Sequence, residues 1–409
     1  FLLKGQQTLP IDRIDVYPPR LDEKAVIIDG NLHEPVWSMA SSQSNFMSYL
    51  PVDGRPTEDD TEIRVWYGPT ALYIGIIAHE VHGKVRSTLA DRDNLDNEDY
   101  VLIVLDTYND KRSAFTFAVN PFGQQADGTL TDRTSTDRQS SLPFRVDDNP
   151  DYVFISRGRL TDEGFTVEVK IPFKSLRYQN TVTQNWGFNV LRRVQHSGYW
   201  SVMGNTRLGM ASFLGQGGQL IDMTGFERGR VFDINPEIRG TLERGADDKE
   251  FDSEMTDPVG FNVRYGWSSN VGINATVNPD FSQIEADVAQ INYDPRRSLY
   301  FPEKRPFFLD GIERFQTPTR LIYTRRIVNP VAAGKISGKF GANTVGFIAA
   351  VDNSGPSIAE MDPAYIHALR LKRDMSSQNH MGLIYTDKSH ADWSNRVFAI
   401  DGILFTKDT

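Results

Sequence analysis

Apolar and polar residues alternate one by one along much of this chain. In GFNVRYGWSSNVGINATVNPDF (260–281), Val263, Tyr265, Trp267, Val271, Ile273, Ala275 and Val277 take turns with Asn262, Arg264, Gly266, Gly272, Asn274, Thr276 and Asn278. Successive side chains of a strand point to opposite faces, so the stretch predicts a hairpin turning at Ser268, Ser269 and Asn270, with one apolar and one wet face. The apolar face must meet either a protein core or lipid.

Helical periodicity is scarce elsewhere, and short β-rich runs punctuated by Gly, Asn, Asp and Pro recur instead, which predicts an all-β protein. Residues 1–225 hold TEIRVWYG (61–68), ALYIGIIAHE (71–80), DYVLIVLDTY (99–108), SAFTFAVN (113–120), FTVEVKIP (165–172) and WGFNVLRRV (186–194). Several of these are apolar on both faces, as expected of a two-sheet β-sandwich with a buried core. Over 226–409 the strands carry one polar, small-residue face, and their connections alternate between tight (SSN at 268, GAN at 341, SSQN at 376) and long, with 280–330 read as a long loop or lumen segment. Alternating short and long connections are the mark of an outer-membrane β-barrel, of which about eight strands fit here; a second soluble sandwich is the alternative. An open sheet edge in lipid leaves backbone groups unpaired, so the strands must close or more must follow. The terminal KDT carries no closing aromatic residue, which favours a barrel that continues beyond these residues.

Composition narrows the picture. At 409 residues the chain is long enough for two domains. Zero cysteines exclude disulfides, thiolate zinc sites and cysteine nucleophiles. A net charge of −10 argues against nucleic acid as a partner, since phosphate backbones require a dense Lys/Arg face. No apolar run of about 18 residues exists, so a membrane helix is not expected. A mean hydropathy of −0.42 is compatible with barrel strands, which are apolar on one face only. The opening FLLKGQQ has no basic region or small-residue cleavage site, as in a mature N-terminus after signal removal or a cytosolic protein.

Three stretches carry a resemblance: IDGNLHEPVW (28–37), DTYNDKRSAFTFAVNPFGQQAD (106–127), and NPDFSQIEADVAQINYDPRRSLYFPEKRPFFLDG (278–311) with YTRRI (323–327). Together they resemble bacterial envelope proteins of the DUF5916 family, which join a family 9 carbohydrate-binding-like sandwich (CBM9-like) to a C-terminal outer-membrane β-barrel. The resemblance implies an envelope location, a sandwich of the sugar-binding type and no established reaction, and the family's longer barrel agrees with truncation. Since barrel termini lie on the periplasmic side, the expectation is an outer-membrane protein with its N-terminal domain periplasmic and with outer-membrane lipid and a carbohydrate or glycan as partners.

Sugars are bound by stacking their C–H faces on aromatic rings while charged and amide groups hydrogen-bond the hydroxyls. On that chemistry the ligand-binding candidates are Trp66, which alternates with Arg64 and Glu62, Tyr199 and Trp200 in a Gly/Ser-bearing segment, and Arg92 in ADRDNLDNEDY; each also has a plainer reading as packing or a solvated loop. Trp37 and Trp186 read as core. Asp91, Asp93, Asp96, Glu98 and Asp99, and the turn residues Asp106, Asn109 and Asp110, are hard oxygen donors of the kind a structural calcium ion takes, with Asp106 and Asp110 the named metal candidates, although the spacing is not that of an EF-hand. In FPEKRPFFLDG the Phe301, Phe307 and Phe308 rings avoid water while Glu303, Lys304, Arg305 and Asp310, with Arg325 and Arg326, avoid lipid. This predicts a loop folded into the barrel mouth or lumen, its charges paired with polar residues such as Arg264, Asn274 and Asn278, as a stabilising plug or, alternatively, a substrate-selective gate. No catalytic motif is present: glycan binding or uptake is the first functional expectation, an envelope glycoside hydrolase and a structural or assembly module without ligand the alternatives.

Overall fold

A computed structural model describes residues 13–80, 82–89, 91–131, 144–210, 212–238, 241–243, 252–254, 259–279, 303–319, 321–353, 363–376 and 379–404. The chain divides into two compact units, Phe1–Gly229 and Arg230–Thr409. Both are built of strands.

The first unit is a sandwich of a nine-stranded and a five-stranded sheet. In the larger, Thr183–Val194 pairs with Tyr100–Asp106, and Ser113–Val119 and Gln125–Thr131 follow outward; in the smaller, Gly164–Pro172, Ala71–His79 and Thr61–Tyr67 lie side by side. Val, Ile, Leu and Phe side chains from the two inner faces, among them Ile63, Ile74, Ile103, Phe117, Val169 and Val190, make the main core. The outer faces are also covered, which is why so many strands read as apolar on both sides. Outside the larger sheet, Leu102, Val104 and Leu191 pack against Tyr49, Phe213 and Leu214. Outside the smaller, a strap over residues 21–40 lays Leu32, Val36 and Trp37 on Trp66 and Tyr73.

The strap explains one of the sequence motifs. Within IDGNLHEPVW, the Asp29 and Gly30 N–H groups donate to Glu168 Oε2 at 2.9 and 3.1 Å, and Trp37 Nε1 donates to Glu168 Oε1 at 3.2 Å. Gly30 has φ +89°, and a Cβ there would lie 3.2 Å from the Gly158 backbone, so both the left-handed turn and the close approach require glycine. The motif is a clamp that fastens the strap to a buried carboxylate.

The second unit is an eight-stranded antiparallel sheet running Val231–Ile238, Val259–Gly266, Val271–Val277, Pro330–Phe340, Asn343–Asp352, Ala364–Asp374, His380–Ser389 and Ser394–Ile403 in sheet order. The hairpin and the tight turns stand where the alternation predicted them. One cross-strand row takes one residue from each strand: Phe232, Tyr265, Ile273, Ile336, Phe347, Leu369, Tyr385 and Phe398. All eight are apolar or aromatic, and Phe232, Ile336 and Phe398 are 59%, 44% and 62% exposed. Trp267 is 71% exposed, so this face is not sealed under protein.

The opposite face is polar and covered. Lys335, Ser337, Thr344, Asp352 and Arg370 are buried there. Residues 303–319 and 321–327 lie across it: Phe307 and Phe308 pack on Ala333 and Ala350, and Phe315 packs on Ile348 and Ala368. Arg305 forks onto Glu303 (2.7 Å on each branch), Lys335 Nζ donates to the Phe307 and Asp310 carbonyls, and Asp310 accepts from Asn274 at 2.6 Å with Arg264 at 3.9 Å. These are contacts of the kind expected for FPEKRPFFLDG; Phe301 lies outside the described residues. Among the described residues the first and last strands of the sheet do not pair with each other, so the sheet is open rather than a closed barrel.

Candidate functional site

The sequence candidates do not converge. Trp66 was expected on an outward face, but its ring is 0% exposed, stacked on Tyr73 at 3.9 Å and edge-on to Trp37 at 6.0 Å, because the strap covers that face. Trp37 and Trp186 are buried, as read from sequence. Arg92 is spent internally: its guanidinium donates to Gln125 Oε1 (2.8 Å), Asp151 Oδ1 (3.2 Å), the Tyr152 carbonyl (3.0 Å) and Asp127, and its Cζ lies 5.8 Å from the Phe154 ring centre. It ties its own loop to the Gln125–Thr131 strand and to the segment before Ile155. Asp127, whose carboxylate takes Arg92 and the Tyr152 N–H, is pushed up to about 6 by burial, against the pull of those two partners.

Tyr199 and Trp200 are neighbours on one strand and therefore point to opposite faces. Tyr199 is half exposed. Trp200, expected as a ligand-stacking ring, is instead only 5% exposed, because it packs with Tyr49, Leu191 and Phe213 in the apolar layer over the larger sheet; there it joins two residues that sequence reasoning missed. It pairs across strands with Arg193, whose partner on the other side is Tyr100. The Arg193 Cζ sits 5.8 Å from the Tyr100 ring centre and 5.9 Å from that of Trp200, and the two rings meet edge-to-face at 5.5 Å. Burial raises the Tyr100 hydroxyl, while the charge and hydrogen bond of Arg193 oppose that rise. Tyr100 and Arg193 are half-buried, so a guanidinium, a phenol and an indole edge meet at the rim of the larger sheet's outer face. Only the register between the Tyr100–Asp106, Thr183–Val194 and Tyr199–Met203 strands brings them together; no local pattern in the sequence marks it.

The turn after Asp106 lies at the other end of the same strip. Asp106 is 1% exposed and accepts from the Asp110 N–H at 3.3 Å and the Lys111 N–H at 2.7 Å. Burial first, and the charge of Asp110 second, hold its carboxyl well above the usual carboxylate range. Lys111 Nζ donates to Asn109 Oδ1. The Asp110 carboxylate is turned to its own chain, taking the Arg112 N–H at 3.0 Å. The carboxylates of the preceding loop do likewise: Glu98 takes Thr88 N–H and Oγ1 at 2.6 and 2.7 Å, and Asp99 takes the Arg86 N–H at 2.6 Å. Among the described residues no three His, Asp or Glu side chains converge in a way that would hold a metal ion. Glu98, Asp99, Asp106 and Asp110, named from sequence as possible calcium ligands beside a plainer reading as acidic turns, act here as acceptors for backbone N–H groups.

Residues 28–197 match the family model described as carbohydrate family 9 binding domain-like. Residues 236–343 match a domain of unknown function, DUF5916. The first match lies within the sandwich unit and the second within the sheet unit. No curated protein matches the chain. Among solved structures, a family 9 carbohydrate-binding module from Caldicellulosiruptor kristjanssonii in complex with cellotriose aligns at 14% identity over 51% of this chain and 93% of its own, with a TM-score of 0.35. The same module in complex with glucose aligns at 15% identity over 51% and 95%, with a TM-score of 0.34.

Proposed function

We propose that this chain is part of a bacterial outer-membrane protein whose N-terminal sandwich binds glycan in the periplasm and whose C-terminal sheet forms wall strands of a barrel, serving glycan binding or uptake. The observation that carries the location is the cross-strand row from Phe232 to Phe398: it is apolar on all eight strands, none of its residues is buried and Phe232, Tyr265, Ile336 and Phe398 are exposed, while on the other face Lys335 is buried against the Phe307 and Asp310 carbonyls. A soluble sheet would arrange this the other way round, since water favours the charged face and a core favours the apolar one. Val231, the first residue of the sheet, pairs with Gly266 beside the tight Ser268–Asn270 turn, so the chain enters the sheet at its tight-turn end. In outer-membrane barrels that end is periplasmic.

The glycan reading is supported by the match of 28–197 to a carbohydrate-binding family model. Within that unit the half-buried Tyr100 and Arg193, backed by the buried Trp200 ring, offer the donors and phenol ring that sugar recognition uses. Calorimetry of the full chain with glucose, cellotriose and a panel of soluble polysaccharides tests it. Binding is expected, and Arg193→Ala or Tyr100→Phe should weaken that of the polysaccharides, which are long enough to reach this end of the sheet, about five- to ten-fold, the usual cost of one hydrogen bond to a ligand. Absence of binding to every glycan in the panel would contradict the reading.

A further inference from the structure

We propose that the small cavity beneath residues 213–217, on the outer face of the larger sheet, is a subsite for one hydroxyl group of a sugar or polyol. The inference rests on the glycan-binding reading of the sandwich and names a place where that reading would be realised.

The cavity measures about 10 Å³, the space of one water-sized group. Its polar lining comes from Asp106 and Asn189, and its walls from Val104, Phe188, Phe213 and Leu214. Asn189 is 2% exposed. Its Oδ1 accepts the Val190 N–H at 2.9 Å, but among the described residues its Nδ2 has no hydrogen-bond partner. A buried amide donor without an acceptor costs about 1–3 kcal/mol, so a site that keeps one gains from a group that can accept.

The chemistry of the lining selects the occupant. Asp106 supplies a carboxylate acceptor and Asn189 a donor; a hydroxyl is both donor and acceptor and satisfies the two together. An anion is disfavoured by Asp106. A cation is disfavoured by the inward-facing Asn189 N–H and by Lys111, whose ammonium, like Asp106 Oδ2, lies beside Gly187: a Cβ on that glycine would come within 3.3 Å of Lys111 Nζ and 3.4 Å of Asp106 Oδ2. The apolar walls fit the C–H groups that flank a sugar hydroxyl. Gly187 and Gly217 line the space and keep it open by having no side chain.

Gly217 supplies a clean test. A Cβ there meets the Phe188 carbonyl oxygen at 3.4 Å, Asn189 Nδ2 at 3.6 Å and the Leu214 carbonyl oxygen at 3.7 Å, all ordinary contacts, so Gly217→Ala fills the space before the amide without a clash. Calorimetry of the full chain with D-glucose and cellotriose should show binding by the wild type. Gly217→Ala should weaken it about ten-fold while the melting temperature holds, and Asn189→Leu, similar in size but without the donor, should do the same. On wild-type chain labelled with ¹⁵N-asparagine, saturating glucose should move the Asn189 side-chain amide resonance. Sugar binding that is equal in wild type and in both folded variants, or an Asn189 amide that stays fixed at saturation, overturns the subsite and leaves the glycan reading standing. A wild type that binds neither sugar removes the glycan reading, and the subsite with it.

Discussion

At the scale of single residues, the most consequential group in the sandwich is Glu168. It is 0% exposed, and burial pushes its carboxyl up to about 7 from 4.5, against the N–H groups of Gly30 and Asp29 that favour the charged form. A raised carboxyl pKa means that the folded state holds its proton to higher pH than the unfolded chain. The stability this group contributes is therefore full below about pH 4.5 and is lost as pH rises through 7. The size is on the order of 3 kcal/mol, at about 1.4 kcal/mol per pH unit. Glu168→Gln cannot titrate, so the melting temperature of the wild type relative to this variant should fall between pH 4.5 and 7 and then level off. A difference that stays constant across that range would show that Glu168 does not titrate there. The carboxylate could not be read from sequence as special: GFTVEVKIP is an ordinary strand pattern, and its partner strap lies about 130 residues earlier, joined to it by Trp37. Trp66 shows the same limit from the other side. Its alternation with Arg64 and Glu62 implies an outward face, which it has, but nothing local reveals that residues 21–40 return to cover it.

At the scale of elements, strand positions were legible because period-two alternation and turn residues are local signals. TEIRVWYG, ALYIGIIAHE and HMGLIYTD stand as strands within a residue or two of where the pattern puts them. The pairing between strands was not legible in the same way, since register is set by contacts far apart in sequence. That is why the Tyr100, Arg193 and Trp200 group and the Asp106 and Asn189 cavity emerge only from the fold. In the C-terminal sheet the alternation also fixes a prediction. Phe347 lies in the uncovered apolar row, paired between Ile336 and Leu369. If that row meets acyl chains, Phe347→Lys should cost about 2–4 kcal/mol of insertion stability, the price of a cation near the bilayer midplane. Urea titration of the chain folded into liposomes measures it. A lysine tolerated there without loss would place the row in water.

At the scale of the whole chain, two units with opposite architectures follow from one composition. The sandwich hides apolar residues on both faces of its sheets, whereas the second sheet buries Lys335, Lys339, Asp352 and Arg370 on one face and leaves the Phe232–Phe398 row of the other unburied. Average hydropathy does not distinguish these arrangements, because a strand with one apolar face scores as a soluble one. The distribution between faces does. The absence of cysteine from the sequence makes this directly measurable, since a single introduced thiol can be spin-labelled without background. The decisive measurement places nitroxides one at a time at positions 336, 347 and 398, and at 337, 348 and 370, in the chain reconstituted into liposomes. Labels at the first three positions should be quenched by oxygen dissolved in the bilayer and shielded from a water-soluble nickel complex, with the second three showing no such preference. A chain that stays in plain buffer without joining the liposomes, or labels at 336, 347 and 398 that the nickel complex reaches freely, would contradict the account.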